Sequence, residues 1–398
     1  MHKIAMLGAG LIGRFYTMSL VNSGVKAEIK IVCAGHTATA KKFAEEFNIP
    51  RWTNDMALAI QDPEIDTVII GLPNFLHKKA ALLAAEAGKA VLCTKPLATS
   101  GSEALEMFDA VEKSGVFHGY LEDLVYTPKT LKALEAAQKG ALGKILWARS
   151  RETHGGPHSD WFWSKELSGG GAIVDMGCHC IEIARSFIGK DSRPLEVTCW
   201  ADTQVHPVDV EDHAVGLVRY DSGAIGQFEV SWTFRGGMDL RDEISGTEGT
   251  VWLNHWLRTG FELFTNVGRG GYVAEKAEGD TGWLFPVGDE VGSLGYVAMF
   301  MDMFNSMDAG KTPTETFYDG YIVNAIIDAS YKAAQTKKWE PVDIQRWRGS
   351  GLTSTTETAF KDYDDDHYLI KEERMPNGIL KIILKNKQTG EISQVLRE

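Results

Sequence analysis

The sequence predicts two successive mixed bodies: an N-terminal α/β domain on a parallel sheet, then an α+β domain with an open, mostly antiparallel sheet, followed by a small C-terminal β meander. Three observations carry that expectation. Strand-length apolar runs and helical patterns alternate regularly through the first 120 residues, the signature of a parallel sheet covered on both faces. After Tyr120 the strands lengthen and are joined by tight glycine turns, as in antiparallel sheets. Near residue 350 a Gly/Ser/Thr run, Gly349 to Thr356, reads as a linker to the last short strands. The expected boundaries are 1–120, 121–348 and 349–398, and 398 residues suffice for more than one core.

The first element, Lys3 to Leu7, is a short apolar strand that runs straight into Gly8-Ala-Gly10-Leu11-Ile12-Gly13 and a helical pattern through Val21. Strand, GxGxxG and helix in that order form the dinucleotide fingerprint of a Rossmann domain. The first glycine permits a tight turn, the second lets backbone approach a pyrophosphate, and the third lets helix pack on strand. The second strand, Glu28 to Cys33, ends at Ala34-Gly35-His36-Thr37. A carboxylate usually holds the adenosine ribose there; this chain has none, and no Arg for a 2′-phosphate. NAD is therefore the expected cofactor, with NADP left open, and either His36 or Thr37 meets the ribose or His36 is merely exposed.

Alternation continues through helix 38–47, strand 67–70, helix 75–87, strand 90–93, helix 100–114 and strand 116–119. Ligands bind such sheets at the C-terminal ends of the strands. Two loops there carry unusual residues: Leu72-Pro73-Asn74-Phe75-Leu76-His77, and Thr94-Lys95-Pro96, in which proline holds Lys95 extended and aims it out of the sheet.

In the second domain, helix 128–139 precedes strands 145–151, 195–203, 213–220, 224–233, 240–246 and 250–254, with hairpin turns at Asp221 to Gly223 and Gly246 to Gly249. Helices follow at 296–309 and 318–336, the last expected to pack back on the first domain. Strands 367–373, 379–385 and 391–396 form the expected three-stranded meander. Between the first two long strands lies Gly169-Gly-Gly-Ala-Ile-Val-Asp175-Met-Gly-Cys178-His179, read as three flexible glycines and a helix with one buried stripe. Asp175 and His179, four apart, are expected on one helical face, where a carboxylate can hold an imidazole as a general base. An isolated Asp-x-x-x-His serves equally as a cap or a surface pair, so it gains meaning only from its company. Upstream, Glu152 to Trp163 is too rich in Gly and Pro for a helix; His154, His158, Trp161 and Trp163 in it suit a polyol pocket or plug the core. The Gly-Gly-Pro between the two histidines denies them helical chelating geometry, and no metal site is expected.

A formal charge of −13 argues against nucleic acid and anionic membranes as partners. Five cysteines, mostly in or beside expected strands and the helix at 178–184, read as small buried apolar groups in a reducing compartment. A strand beginning at once after Met1 and no apolar run of 18 residues point to a cytoplasmic protein.

Taken together, GAGLIG, LPNFLH, the Lys-Pro after the fifth strand, GGGAIVDMGCH and the later DSGAIG make residues 1 to about 345 resemble the glucose-fructose oxidoreductase, inositol dehydrogenase and rhizopine-catabolism (Gfo/Idh/MocA) family. Two departures stand out: Thr94 replaces the usual Glu before Lys-Pro, and the second strand lacks its terminal charged residue. The resemblance implies a catalytic lysine at Lys95, aspartate at Asp175 and histidine at His179. It also implies oxidation of a sugar, polyol or glycoside hydroxyl by a nicotinamide cofactor. Glu122, Asp123, His154, His158, Trp161 and Trp163 are the expected substrate contacts. Gly8, Gly10, Leu11, Ile12, Gly13, Ala34, Gly35, His36, Leu72, Pro73, Asn74, His77, Lys95 and Pro96 are the expected cofactor contacts. In that mechanism His179 takes the hydroxyl proton, Asp175 orients imidazole and substrate, and Lys95 binds the developing alkoxide. Two alternatives keep the fold: internal hydride recycling that cleaves a glycoside on tightly bound NAD, and a non-catalytic dinucleotide or sugar sensor. An open sheet asks for a cover, so a homo-oligomer, dimer or tetramer, is expected through its face.

Overall fold

The computed structural model describes residues 1–256, 262–267, 273, 277, 279–349 and 358–398. Its contacts divide the chain into Met1–Leu352 and Thr353–Glu398. The first unit opens with β1 (His2–Leu7), α1 (Leu11–Ser23), β2 (Ala27–Cys33), α2 (Thr37–Phe47), β3 (Arg51–Thr53), α3 (Met56–Gln61), β4 (Thr67–Ile70), α4 (His77–Glu86), β5 (Ala90–Thr94), α5 (Gly101–Ser114) and β6 (His118–Leu121). These strands form a six-stranded parallel sheet in the order β3-β2-β1-β4-β5-β6. Strand order reverses between β1 and β4, the place where a doubly wound sheet opens a crevice for ligand. β3 and α3, too short to show a period, are additions to the expected elements.

The chain continues with α6 (Pro128–Gln138), β7 (Ile145–Thr153), α7 (Lys165–Ser168), a π-helical turn (Ile173–Gly177), α8 (Cys178–Ile188), β8 (Pro194–Asp202), β9 (His213–Tyr220), β10 (Ile225–Ser231), β11 (Asp239–Gly246) and β12 (Thr250–Asn254). A two-stranded pair, β13 (Leu263–Thr265) and β14 (Gly282–Leu284), comes before α9 (Glu290–Ser293), α10 (Tyr296–Ala309), α11 (Phe317–Thr336) and β15 (Glu340–Pro341). The second sheet has seven strands in the order β12-β11-β7-β10-β9-β8-β15, antiparallel except for β10 against β7. Alternation decides its faces: Ala148 and Ser150 of β7 point inward towards α8, whereas Trp147 and Arg149 point outward.

Two long helices tie the sheets together. α10 packs on α1 through Tyr296 and Phe300 against Tyr16, and α11 lies against both α5 and β8. Alternate residues of β1 feed two apolar clusters, Ala5 and Leu7 into one, Ile4 and Met6 into the other, and both clusters run on into the second sheet. α11 starts at a capping box in which Thr316 and Asp319 satisfy each other's backbone ends, an arrangement that contributes about 1 kcal/mol.

The second unit is a four-stranded antiparallel sheet: β16 (Lys361–Asp362), β17 (His367–Arg374), β18 (Leu380–Asn386) and β19 (Ile392–Arg397). It gains one two-residue strand over the expected three. The linker expected over Gly349 to Thr356 lies, from Ser350 on, outside the described residues.

Candidate active site

A cleft of about 400 Å³ opens at the C-terminal ends of β1 and β4 and continues beneath β7 and the π turn. Gly8, Gly10, Leu11, Ile12, Ala34, Gly35, Leu72, Pro73, Asn74 and Lys95 line it from the first sheet. Asp123, His154, His158, Trp161, Asp175 and His179 line it from the other side. The glycines divide their work as the fingerprint requires. A Cβ on Gly8 would stand 2.0 Å from the Gly71 carbonyl, and one on Gly13 would stand 2.4 Å from the Gly8 carbonyl, so both permit close packing. Gly10 has nothing within 4 Å and faces the cleft, at the uncapped N-terminus of α1. Open backbone amides at the end of a 13-residue helix suit a pyrophosphate, so the residues present fit a dinucleotide.

Four expected cofactor residues do not line the cleft. Gly13 is packed behind Gly8, and His36 is exposed at the N-terminus of α2. His77 is fully buried: its Nε2 lies 2.7 Å from the Leu72 carbonyl and its Nδ1 lies 3.0 Å from that of Pro96. Burial lowers its pKa, so the neutral ring donates to one of these carbonyls and lies against the other, wedged between the two cofactor-side loops. Pro96 supplies that carbonyl and is itself buried. Thr94, where the family pattern has Glu, accepts a 2.6 Å hydrogen bond from the buried Tyr16 hydroxyl.

Lys95, Asp175 and His179 converge on the cleft from β5, the π turn and α8. Lys95 Nζ donates to the Asp175 carbonyl at 2.6 Å and to its Oδ1 at 3.2 Å. Trp232 Nε1 donates to Asp175 Oδ2 at 3.0 Å. Burial opposes a charged amine at Lys95, but the Asp175 carboxylate outweighs it and holds the ammonium above the ordinary lysine value. His179 is driven the other way: burial, then the charge of Lys95, pushes its imidazole down to about 3 against Asp123 and Asp175. The site therefore keeps a cation and a neutral imidazole side by side.

Asp175 does not hold His179. The imidazole Nδ1 meets Oε1 of Glu122, a fully buried residue just beyond β6. The π turn explains the difference, since its extra residue breaks the i, i+4 stacking that a regular helix would give. Glu122, expected as a substrate contact, thus sits behind the histidine and does not line the cleft. Burial pushes its carboxyl up to about 8, and Asp123 is likewise pushed up to about 7. Glu152 also lines the cleft and, first by burial, is held well above the carboxylate range.

The three glycines before the π turn are crowded rather than flexible. A Cβ on Gly171 would stand 2.0 Å from the Glu211 carbonyl, and the Glu211 carboxylate accepts from the amides of Gly171 and Ile173. His154 Nδ1 accepts from the Gly156 amide at 3.0 Å, which places the proton on Nε2, 3.7 Å from Asp175 Oδ2. Trp161 stacks on Phe162 with centroids 3.8 Å apart, offering an aromatic face to the cleft. Trp163 instead packs edge-on against Trp232, away from the lining. Among the described residues, donor atoms of Glu122, Cys178 and His179 fall within 4.8 Å of one another, a grouping the consecutive Cys178-His179-Cys180 run did not suggest. Burial keeps the Cys178 sulfur a thiol.

Comparison with known proteins identifies the family. Residues 2–120 match the model of an oxidoreductase family, NAD-binding Rossmann fold, and residues 130–252 match a GFO/IDH/MocA C-terminal domain. The chain is 27% identical over 390 residues to levoglucosan dehydrogenase of Pseudarthrobacter phenanthrenivorans, covering 86% of this chain and 98% of the relative. It is 30% identical over 261 residues to scyllo-inositol 2-dehydrogenase (NAD(+)) of Bacillus subtilis, covering 63% and 73%. Among solved structures, GenD2 from gentamicin A biosynthesis in complex with NAD superposes with a TM-score of 0.81 at 30% identity, over 86% of this chain and 97% of that one. Levoglucosan dehydrogenase in complex with NADH and levoglucosan gives 0.73 at 27%, over 86% and 99%. Among the described residues no helix is long and apolar enough to cross a membrane. The chain belongs to the Gfo/Idh/MocA family of NAD-binding oxidoreductases.

Proposed function

We propose that the protein oxidises a secondary hydroxyl of a sugar, polyol or glycoside, with NAD as the electron acceptor. The observation that carries the reading is the meeting of Lys95, Asp175 and His179 in one cleft with the GAGLIG loop. Gly8 to Ile12, Ala34, Gly35, Leu72 and Asn74 would hold the dinucleotide, and a bound nicotinamide supplies the site that receives hydride. Lys95, kept charged by Asp175, stabilises negative charge growing on the substrate oxygen. His179, kept neutral, accepts the hydroxyl proton. Asp175, itself held by Trp232, positions Lys95. The stacked Trp161 and Phe162, with His154, His158 and Asp123, offer an apolar face and polar rim of the kind that binds a carbohydrate ring.

Relatives named for levoglucosan, scyllo-inositol and 1,5-anhydro-D-fructose support a cyclic polyhydroxy substrate. A screen of such sugars and glycosides with NAD and NADP, followed by absorbance of the reduced nicotinamide, tests the reading; silence across the whole panel counts against it. Asp123 and Glu152, carboxyls pushed up by burial in the same cleft, favour a second reading in which transient oxidation serves glycoside cleavage. There the cofactor copurifies and no net reduced nicotinamide accumulates.

Self-association through the outer face of the second sheet, where Trp147, Trp200 and Trp252 are exposed, belongs to the same proposal. A location in the cytoplasm does so too.

A further inference from the structure

His179 presents a difficulty for any mechanism in which it takes the substrate proton and keeps it. Its ring is buried, lies beside the Lys95 ammonium and is held far below the ordinary histidine range, so an imidazolium would be unstable there. Its Nδ1 is in direct hydrogen-bond contact with Glu122 Oε1, and that oxygen also accepts from the Leu124 amide at 3.3 Å. The second oxygen, Oε2, is buried without a hydrogen-bond partner. A permanently ionised carboxylate is poorly served by one bare buried oxygen; a group that is protonated for part of the cycle fits better. The charged or titratable groups around Glu122 include Lys95 from the end of β5, Tyr120 of β6, the adjoining Asp123, Glu152 of β7, Cys178 and Glu182 of α8 and Lys190 from the loop after it.

We propose that Glu122 is the positioning residue of His179 and takes its Nδ1 proton as Nε2 receives the substrate's, so that the imidazole relays charge and never has to remain an imidazolium. This rests on the oxidoreductase reading above. In the reactive state, populated as pH rises through about 8, Nδ1–H donates to ionised Glu122, leaving the Nε2 lone pair for substrate. As the substrate O–H bond breaks, Nε2–H forms; the Nδ1–H bond then breaks and Glu122 Oε1–H forms. No imidazolium has to persist beside Lys95. After the carbonyl product leaves, the Glu122 proton returns to Nδ1 and the Nε2 proton passes to water in the open cleft, restoring the reactive state. One proton is released per turnover, and the electron pair leaves with the hydride to NAD. Run in reverse, a protonated Glu122 makes Nε2–H the donor, so one pair serves both oxidation and reduction.

Two measurements test this, and the first does not depend on turnover. Nitrogen NMR of histidine-labelled, NAD-bound protein titrated upward through about pH 8 should show His179 becoming protonated at Nδ1 and bare at Nε2 as Glu122 ionises, with Glu122→Ala mixing the tautomers. A Nδ1 that stays bare in the wild type well above pH 8 overturns the proposal even if no substrate is ever found. The second uses Glu122→Gln, which still accepts from Nδ1 but cannot take a proton. Single-turnover oxidation of the best sugar in the screen should slow on the order of a hundredfold, with NADH affinity unchanged and partial recovery in Glu122→Asp. Adding Glu122→Gln to His179→Ala should cost little beyond His179→Ala alone, because the glutamate acts only through the imidazole. A Glu122→Gln rate equal to wild type, or losses that simply multiply in the double variant, would refute it. Reduced nicotinamide from none of the sugars counts against the oxidoreductase reading and leaves the tautomer result standing by itself.

Discussion

Replacing Asp175 with asparagine isolates the charge that keeps Lys95 protonated. The Lys95 ammonium lies 3.2 Å from Asp175 Oδ1, with side chains 20% and 8% exposed. At an effective dielectric near 20, that separation corresponds to an attraction of about 5 kcal/mol. Burial opposes the charge throughout, so in the wild type the pair keeps Lys95 above the ordinary value of 10.5. The sign follows: a raised lysine is fully charged below 10.5, and its contribution is lost only as pH climbs through the still higher folded value. The wild type should therefore show no alkaline loss of activity from Lys95 in the usual assay range. In Asp175→Asn burial loses its strongest opponent, the amine's value drops towards the assay range, and an alkaline limb should enter the profile. The turnover number at neutral pH should fall on the order of 10² to 10³, the usual cost of losing one group that stabilises a developing oxyanion. The assay is reduced-nicotinamide absorbance across pH, with NADH affinity measured in parallel. The substituted amide can still accept from Trp232, and the backbone carbonyl of residue 175 still accepts from Lys95, so gross misfolding is not expected. A wild-type profile and rate in Asp175→Asn would refute the assignment.

Other expectations follow from single contacts. Gly10→Val should fold with an unchanged Tm and lose NADH binding, because nothing but open cleft meets a side chain there; Gly8→Ala should lower the Tm, because its Cβ meets the Gly71 carbonyl at 2.0 Å and its φ is +114°. His77→Phe should weaken NADH binding and lower stability by about 1 to 3 kcal/mol in denaturant titration, since two buried carbonyls lose their facing nitrogen atoms. Dialysis against a chelator should leave activity unchanged, since Glu122 and His179 already bond to each other; restoration by zinc would show that they and Cys178 hold a metal instead.

Local patterns made much of this legible. β1, GxGxxG and α1 are contiguous, so the cofactor loop could be read from six residues, and Lys95 from a lysine-proline at a strand tip. Partnerships were harder. Asp175 and His179 were paired on the assumption of 3.6 residues per turn, but the crowding of Gly171 against Glu211 and the π turn send them to different partners. Glu122 lies 57 residues from His179, a separation that no periodicity reports. It was expected among the substrate contacts, and nothing local in the sequence said that it would sit behind the histidine. Trp232, which anchors Asp175, stands just past the end of β10 and gave no sign beyond being a large side chain near a strand end. His77 looked like a ligand because it follows a cofactor-side loop, whereas its two nitrogen atoms face carbonyls of two such loops.

The most direct test of the central claim is single-turnover hydride transfer in His179→Ala, compared with wild type at saturating NAD and sugar. A loss of about 10² to 10⁴ in rate with unaltered NADH affinity is expected. Equal rates would remove the cleft histidine from the chemistry and with it the dehydrogenase mechanism drawn from this site.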